Sequence, residues 1–298
     1  MKKPFSGLTT RHLYYILIGL LSAIFLMCVG LLADYYIQSA KQQAQYDELS
    51  SIVQQAQQAQ QNQQNQQNPN QNDSNSGNTQ SSGNSEGAVQ TPVPVYTTVV
   101  NPKTQQEMEV LTEYAPIYNL NPDVVGWIQI DGTKINYPVM QTPEWVNYYL
   151  TRDFNGNNAK HGAIYVNETA SITTPSDNVT IYGHKMKDGT MFAALHDYKK
   201  KSFFEEHPYI TFDTIFEHHQ YQILAVFITT ANLPDSFNYH LFVDGDENAF
   251  LEYVATCKEL ALYDTGVDAV YGDKLITLST CEHTIDDGRL VVVAKRIS

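Results

Sequence analysis

The sequence predicts a mainly β domain, closed or nearly closed on itself, with flanking helices, placed behind an N-terminal transmembrane helix and a disordered linker. Three observations predict it. About eight short aromatic or β-branched runs fall between residues 124 and 295, each bounded by Gly, Pro, Asp or Asn. An uncharged apolar run extends from Leu13 to Ala33. Between them, residues 41–90 are rich in Gln, Asn and Ser, with almost no aliphatic residue after Val53.

The apolar run comes first. At about 1.5 Å per residue it is long enough to cross a hydrocarbon core of about 30 Å. Lys2, Lys3 and Arg11 precede it and Asp34 comes after it, so the positive-inside rule keeps residues 1–12 in the cytoplasm and exports the chain beyond a span over 13–37. A cleaved signal peptide is the competing reading, but Asp34-Tyr35-Tyr36 makes a poor small-residue cleavage site. The linker, 38–95, lacks the apolar surface to offset its ordering entropy. Its first part, Lys41 to about Gln61, is expected to prolong the membrane helix; beyond Asn62 a flexible tether is expected.

In the domain from 96 to 298, Thr104-Gln105-Gln106-Glu107 fits a capping box, and Met108, Leu111 and Ala115 recur at helical spacing. A helix that Pro116 stops or kinks is expected there. The expected strands are Val124–Ile130, Ile135–Val139, Ala163–Val166, Val179–Tyr182, Tyr209–Phe212, Tyr221–Thr229, Lys274–Leu278 and Leu290–Lys295. Two helices interrupt them, near Met191–Tyr198 and from about Asp246 to Tyr263. Asp244 and Glu247 are the expected N-terminal capping pair of the second. On it Phe250, Val254, Cys257 and Ala261 share a face, so Cys257 is read as a packed hydrophobe.

The 298 residues carry a formal net charge of -14, which argues against a nucleic-acid partner. Lys199-Lys200-Lys201, the only basic run, reads as a solvated turn. The cysteines are Cys28, Cys257 and Cys281, without zinc-like spacing, and neither a metal nor a cofactor is expected. Asp244, Asp246 and Glu247 could suggest calcium, but a helix N-terminus attracts acids in any case.

The stretch LITLSTCEHTIDDGRLVVVAKRI, Leu275 to Ile297, carries the chemistry. One β run leads into Cys281 and the next opens at Arg289. Neighbouring strands would bring a thiol and a fixed cation to one rim, which suits a nucleophile with charge stabilisation. The partner base or acid is best sought in His184, which ends the run DNVTIYG. His283 is the rival; His161 and His240 sit in loop-like stretches, and His196, His207, His218 and His219 among charged residues expected to face solvent. Each residue alone has an ordinary explanation, as buried thiol, turn residue or ion-pair partner. Their joint occurrence in an exported, cysteine-poor chain favours catalysis.

TLSTC followed by Arg289 and VVVAKR, with a His after IYG upstream, resembles the sortases. The long helix before TLSTC and the opening NPDVVGWIQIDGTKINYPVMQ resemble class B members in particular. The resemblance spans Glu107 to Ser298. It implies an eight-stranded sortase-type β-barrel with flanking helices, and a cysteine transpeptidase with the triad Cys281, His184 and Arg289. It implies substrate-binding roles for Ser279, Thr280, Glu282, Asn147 and Leu150. It further implies cleavage of an NPxT-type sorting signal after Thr, and transfer to an amine of a peptidoglycan precursor or a pilin Lys. The partners would be surface proteins bearing C-terminal sorting signals, and the place the plasma membrane of a Gram-positive envelope, catalytic domain outside.

Asn101-Pro102-Lys103-Thr104-Gln105 itself reads like such a signal, which raises a pseudosubstrate beside the capping-box reading. Two other functions compete. An L,D-transpeptidase-like wall enzyme would place Gly before the Cys and Arg close behind it. A catalytically inactive surface binding module would leave Cys281 unreactive.

Overall fold

The computed structural model describes residues 10–67, 93–230 and 236–298. The chain divides into two compact units, one ending at Gln45 and one running from Tyr46 to Ser298. Helix α1 covers Thr10–Gln67 and includes the one segment among the described residues long and apolar enough to cross a membrane. The side chains from Leu13 through Leu32 are largely exposed apolar groups, as lipid contact requires.

The polar linker departs from expectation. It is helical as far as Gln67, and the remainder of the expected tether, 68–92, lies outside the described residues. Within the second unit Tyr46, Leu49 and Val53, at i, i+3 and i+7, form a buried stripe on α1. The Tyr46 ring packs edge-on against Tyr137, with centroids 5.1 Å apart, and its hydroxyl donates to the Gly162 carbonyl at 3.2 Å. Asn136 donates to Ser50 at 3.2 Å, and Gln60 to the buried Glu113 at 3.1 Å. Tyr46, Leu49 and Val53, with the partly buried Ile52 beside them, are enough for one apolar helical face in a Gln-rich run.

β1 (Tyr96–Val100) and β2 (Glu107–Leu111) form an antiparallel hairpin where a capping box and helix were expected. The same residues also alternate with period two, and Val99 pairs with Met108. The turn is closed by Asn101, whose side chain accepts from the backbone of Lys103 and Thr104 while Gln105 takes a left-handed φ of 60°. The signal-like Asn101–Gln105 is therefore a closed hairpin turn, with Lys103 paired to Asp123 at 2.8 Å. Pro116 does not stop a helix but starts one: it occupies the first turn of α2 (Ala115–Leu120), where a missing N–H costs nothing.

The next strands are β3 (Val124–Gln129), β4 (Asn136–Met140), β5 (Ile164–Val166) and β6 (Asn178–Tyr182). A 3₁₀ segment, Phe192–Lys199, replaces the expected helix and leads through Lys200 into α3 (Lys201–Glu206). Then come β7 (Tyr209–Thr214), β8 (Gln220–Thr230), α4 (Glu247–Glu259), β9 (Leu275–Glu282) and β10 (Gly288–Arg296). The expected strands are all present. β3 to β10 close into a barrel in the order β10-β8-β7-β3-β4-β5-β6-β9. The pairings β4–β5 and β6–β9 are parallel and the rest antiparallel. Asp246, not Asp244, caps α4, accepting from Ala249 N at 2.9 Å. Asp244 accepts instead from Ser176 and the backbone of Asp177.

The barrel has apolar packing on both faces of β9 and β10. Ile276, Leu278, Leu290 and Val292 join the interior core. Leu275, Val291 and Val293 pack outward against Phe250, Val254 and Cys257 of α4. Burial pushes the Cys257 thiol up to about 12, so it is an inert packed group, as the helical spacing suggested.

Because the buried stripe of α1 belongs to the core of the second unit, Leu49→Ala is expected to cost roughly 2–5 kcal/mol in urea unfolding. A chain beginning at residue 93 is expected to melt below one beginning at Tyr46; equal melting temperatures would show that the stripe contributes nothing.

Candidate active site

Strand alternation decides which side chains can share the site. Along β9, Ile276 and Leu278 point into the barrel, so Thr280 and Glu282 do too; Thr277, Ser279 and Cys281 point outward. Cys281 lies opposite Arg289 in the β9–β10 register. Ser279 turns its carbonyl toward β6, where it accepts from Gly183 N at 3.1 Å, so Cys281 also directs its backbone to that side. Cys281–Arg289 is thus a non-hydrogen-bonded pair of the β9–β10 ladder, the kind whose side chains lie closest.

His184 arrives from β6, which runs parallel to β9 with Tyr182 beside Ser279. Gly183 is required between them: a Cβ there would lie 2.5 Å from Ile164 and 2.7 Å from the Phe192 ring. His184 is then held at both ends. Its carbonyl accepts from Phe192 N at 2.9 Å, and its Nε2 lies 2.7 Å from the Leu150 carbonyl. A carbonyl can only accept, so Nε2 carries a proton and Nδ1 is left to face the thiol.

The electrostatics agree. Hydrogen bonding to His184 is the largest influence on Cys281 and lowers its pKa against burial, with help from the Arg289 charge. The same bond raises His184 above an ordinary histidine, against burial and with help from Leu150. Both shifts move the pair toward thiolate and imidazolium. Arg289 is half-buried, and its Nη1 donates to the carbonyls of Asp287 at 3.2 Å and Gly288 at 2.9 Å. Gly288 permits that tight turn, since a Cβ there would meet the Glu282 carbonyl at 2.4 Å.

These three side chains open on a cleft of about 340 Å³. Of the residues the sequence suggested, Asn147, Leu150, Ser279 and Thr280 also line it. Asn147 has a left-handed φ of 54° and accepts from the Tyr165 hydroxyl at 2.8 Å; Ser279 meets the Tyr239 hydroxyl at 2.6 Å. Sequence reasoning missed Tyr165, Asn167, Glu168, Tyr182, Tyr239 and His240, which with Gly183 complete the lining. Burial holds the three tyrosines above the ordinary phenol pKa, hence neutral. They come from β5, β6 and the turn Tyr239–Leu241, remote in sequence from Cys281, and only their alternation with buried apolar neighbours hinted at a half-buried face.

Glu282 is not in the cleft. Its carboxylate is buried on the interior side, where Lys199 Nζ and His196 Nδ1 contact one oxygen, the histidine at 3.4 Å. Burial would raise its pKa, but the bonds from Lys199 and Thr284 prevail and hold it down to about 2. So Lys199 is not part of a solvated turn. Nor does His196 face solvent: its Nε2 is 3.0 Å from the Cys281 carbonyl. His219 is likewise buried, and His218 bridges Asp213 and Glu113 at 2.8 and 3.1 Å. His283, the rival partner, is exposed and does not line the cleft.

Comparison with known proteins gives a consistent result. The family model described as Sortase domain matches residues 128–297. Sortase B of Staphylococcus aureus is 32% identical over 197 residues, 65% of this chain and 78% of that protein. Sortase B of Listeria monocytogenes is 33% identical over 193 residues, 64% and 76% of the two chains. The structure of a Staphylococcus aureus sortase B-substrate complex aligns with a TM-score of 0.63 at 25% identity, covering 88% of this chain and 99% of that one.

Two pH-dependent outcomes are expected. The pH profile of Cys281 alkylation by iodoacetamide should have its midpoint below that of an ordinary thiol, about 8.5, and His184→Ala should move it upward; an unmoved midpoint would deny the Cys281–His184 coupling. Glu282 has a folded-state pKa depressed below its unfolded value. Its contribution to stability is therefore complete above the ordinary carboxylate range and fades as pH falls through about 2. The difference in urea midpoint between the native chain and Glu282→Gln should accordingly be largest near neutral pH and shrink on acidification.

Proposed function

Because the chain belongs to the sortase family of cysteine transpeptidases, and within it to class B, we propose that Cys281, His184 and Arg289 carry its acyl transfer. The observation that carries the proposal is the convergence in one cleft of a thiol held below its ordinary pKa, an imidazole held above it and a guanidinium directly across the strand pair.

The Cys281 thiolate attacks the carbonyl carbon of a peptide Thr. Negative charge develops on the carbonyl oxygen beside Arg289, whose fixed positive charge stabilises it. The C–N bond breaks, and His184 gives the Nδ1 proton to the departing amine. A thioester on Cys281 remains. An acceptor amine then attacks it and loses its proton to His184. The C–S bond breaks, regenerating the thiolate and leaving a new amide.

The substrate proposed is an NPxT-type sorting signal of a surface protein, cleaved after Thr. The faces of Tyr165, Tyr182 and Tyr239 suit a proline ring, and Asn147 and Asn167 suit an extended peptide backbone. Glu282 is left out of this contact because it does not line the cleft and its carboxylate is paired with Lys199 and His196. The acceptor is an amine of a peptidoglycan precursor or a pilin Lys. The apolar part of α1 anchors the chain in the plasma membrane with residues 1–12 inside and the barrel outside, facing the wall.

Intact-mass spectrometry of the full chain with NPxT- and LPxTG-type peptides tests the reading. An acyl adduct on Cys281 that an added amine releases is expected with the first class and not with Cys281→Ala. Arg289→Ala should lower the acylation rate by about 10²–10³-fold, as removal of an oxyanion donor does elsewhere. A folded chain whose Cys281 forms no adduct with any signal peptide would point instead to an inactive binding module.

A further inference from the structure

The β6–β9 ladder ends before the residue that most needs fixing. Gly183 N bonds the Ser279 carbonyl at 3.1 Å, but β6 stops at Tyr182 and the chain turns away through His184. The Cys281 carbonyl, next in line on that edge, has no donor from β6. His196 Nε2 stands there instead, 3.0 Å away.

His196 is carried by the segment that also holds His184. Asp188 accepts from Thr190 N and Oγ1 at 3.0 and 2.6 Å, Met191 adopts a φ of 57°, and Phe192 N returns to the His184 carbonyl at 2.9 Å. The 3₁₀ segment Phe192–Lys199 begins there, and His196 lies on it. One side chain therefore connects the loop leaving the imidazole to the strand end carrying the thiol. Its other nitrogen faces Glu282, which Lys199 anchors from the same segment.

We propose that His196 is a positioning residue for the Cys281–His184 pair, its Nε2–H replacing the missing ladder bond and setting the distance between thiol and imidazole; the proposal rests on Cys281 being the nucleophile. His196 does not line the cleft, so it takes no part in the bond changes. The donor role needs the proton on Nε2, because a carbonyl offers none. Burial, followed by the charge of Lys185, lowers the His196 pKa, against the bond to the Cys281 carbonyl and the charge of Glu282, so the neutral tautomer with Nε2–H is the working form.

The test compares the full-length chain in detergent with His196→Phe and His196→Gln. Iodoacetamide alkylation is followed against pH and mapped to Cys281 by peptide mass, since Cys28 and Cys257 are also present; turnover of a signal peptide and thermal unfolding are measured beside it. His196→Phe should slow alkylation at neutral pH about tenfold, the order of one hydrogen bond's net worth, and shift its profile to higher pH. It should lower kcat more than it raises KM. His196→Gln, which keeps an N–H donor, should recover most of both. An unchanged profile in His196→Phe overturns the proposal. So does equal loss in both variants together with an equal fall in unfolding temperature, which marks a purely structural side chain. If Cys281→Ala still transfers acyl groups, the catalytic reading of Cys281 falls, whatever the His196 profiles show about the positioning bond.

Discussion

The antiparallel pairing of β9 with β10 is the constraint on which the site depends. It places Cys281 opposite Arg289 in a ladder buried on both faces, so neither residue can slip without exposing Leu278, Leu290 or Val292 on one side and Val291 or Val293 on the other. A thiol and a cation are thereby held at close range by apolar packing well away from the chemistry. The cost of moving them is the cost of unpacking the barrel, which is why the arrangement is rigid before any substrate arrives.

The same alternation separates two electrostatic environments only one residue apart. Outward, Cys281 meets His184 and Arg289 in a cleft lined by neutral tyrosines, and both lower its thiol pKa. Inward, Glu282 is sealed with Lys199 and His196, its charge satisfied locally and removed from the cleft. A buried carboxylate left unpaired beside a developing thiolate would raise the thiol pKa; pairing it on the opposite face avoids that. In a chain of net charge -14, Arg289 nonetheless places a fixed positive charge in the cleft, opposite Cys281.

The folded unit reaches further toward the N-terminus than its composition suggests. Tyr46, Leu49 and Val53 stand in a Gln-rich run that reads as low complexity, yet they share one helical face and bury it on the barrel beside Tyr137. Hydrogen bonds from Tyr46 to Gly162 and from Gln60 to Glu113 add polar contacts to that face. Composition averages over faces, whereas burial acts on one face at a time.

Much of the fold and site was legible in sequence order because it is encoded locally. The uncharged run Leu13–Ala33 specifies a membrane-length helix, the β-branched runs specify the barrel strands, and a Cys ending one strand with an Arg opening the next specifies a shared rim once those strands pair. The triad candidates His184, Cys281 and Arg289 all terminate or open strands, which is a local signal. Errors arose where two periods fit one stretch, as at Met108, Val110 and Leu111, and where a residue's role depends on the groups lying across space from it. Glu282 read as a substrate contact because it adjoins Cys281, but pleating turns it inward. His196 read as a solvated charge because its neighbours in sequence are charged, but the 3₁₀ segment turns it toward the Cys281 carbonyl. Tyr165, Tyr182 and Tyr239 belong to the cleft only through barrel closure. The sequence by itself determined the barrel strands, the membrane-length apolar helix and the chemical groups at the strand ends. Only the tertiary structure decided which face each group occupies and which distant groups meet it, because strand parity and barrel closure are properties of the paired chain rather than of any run of residues within it.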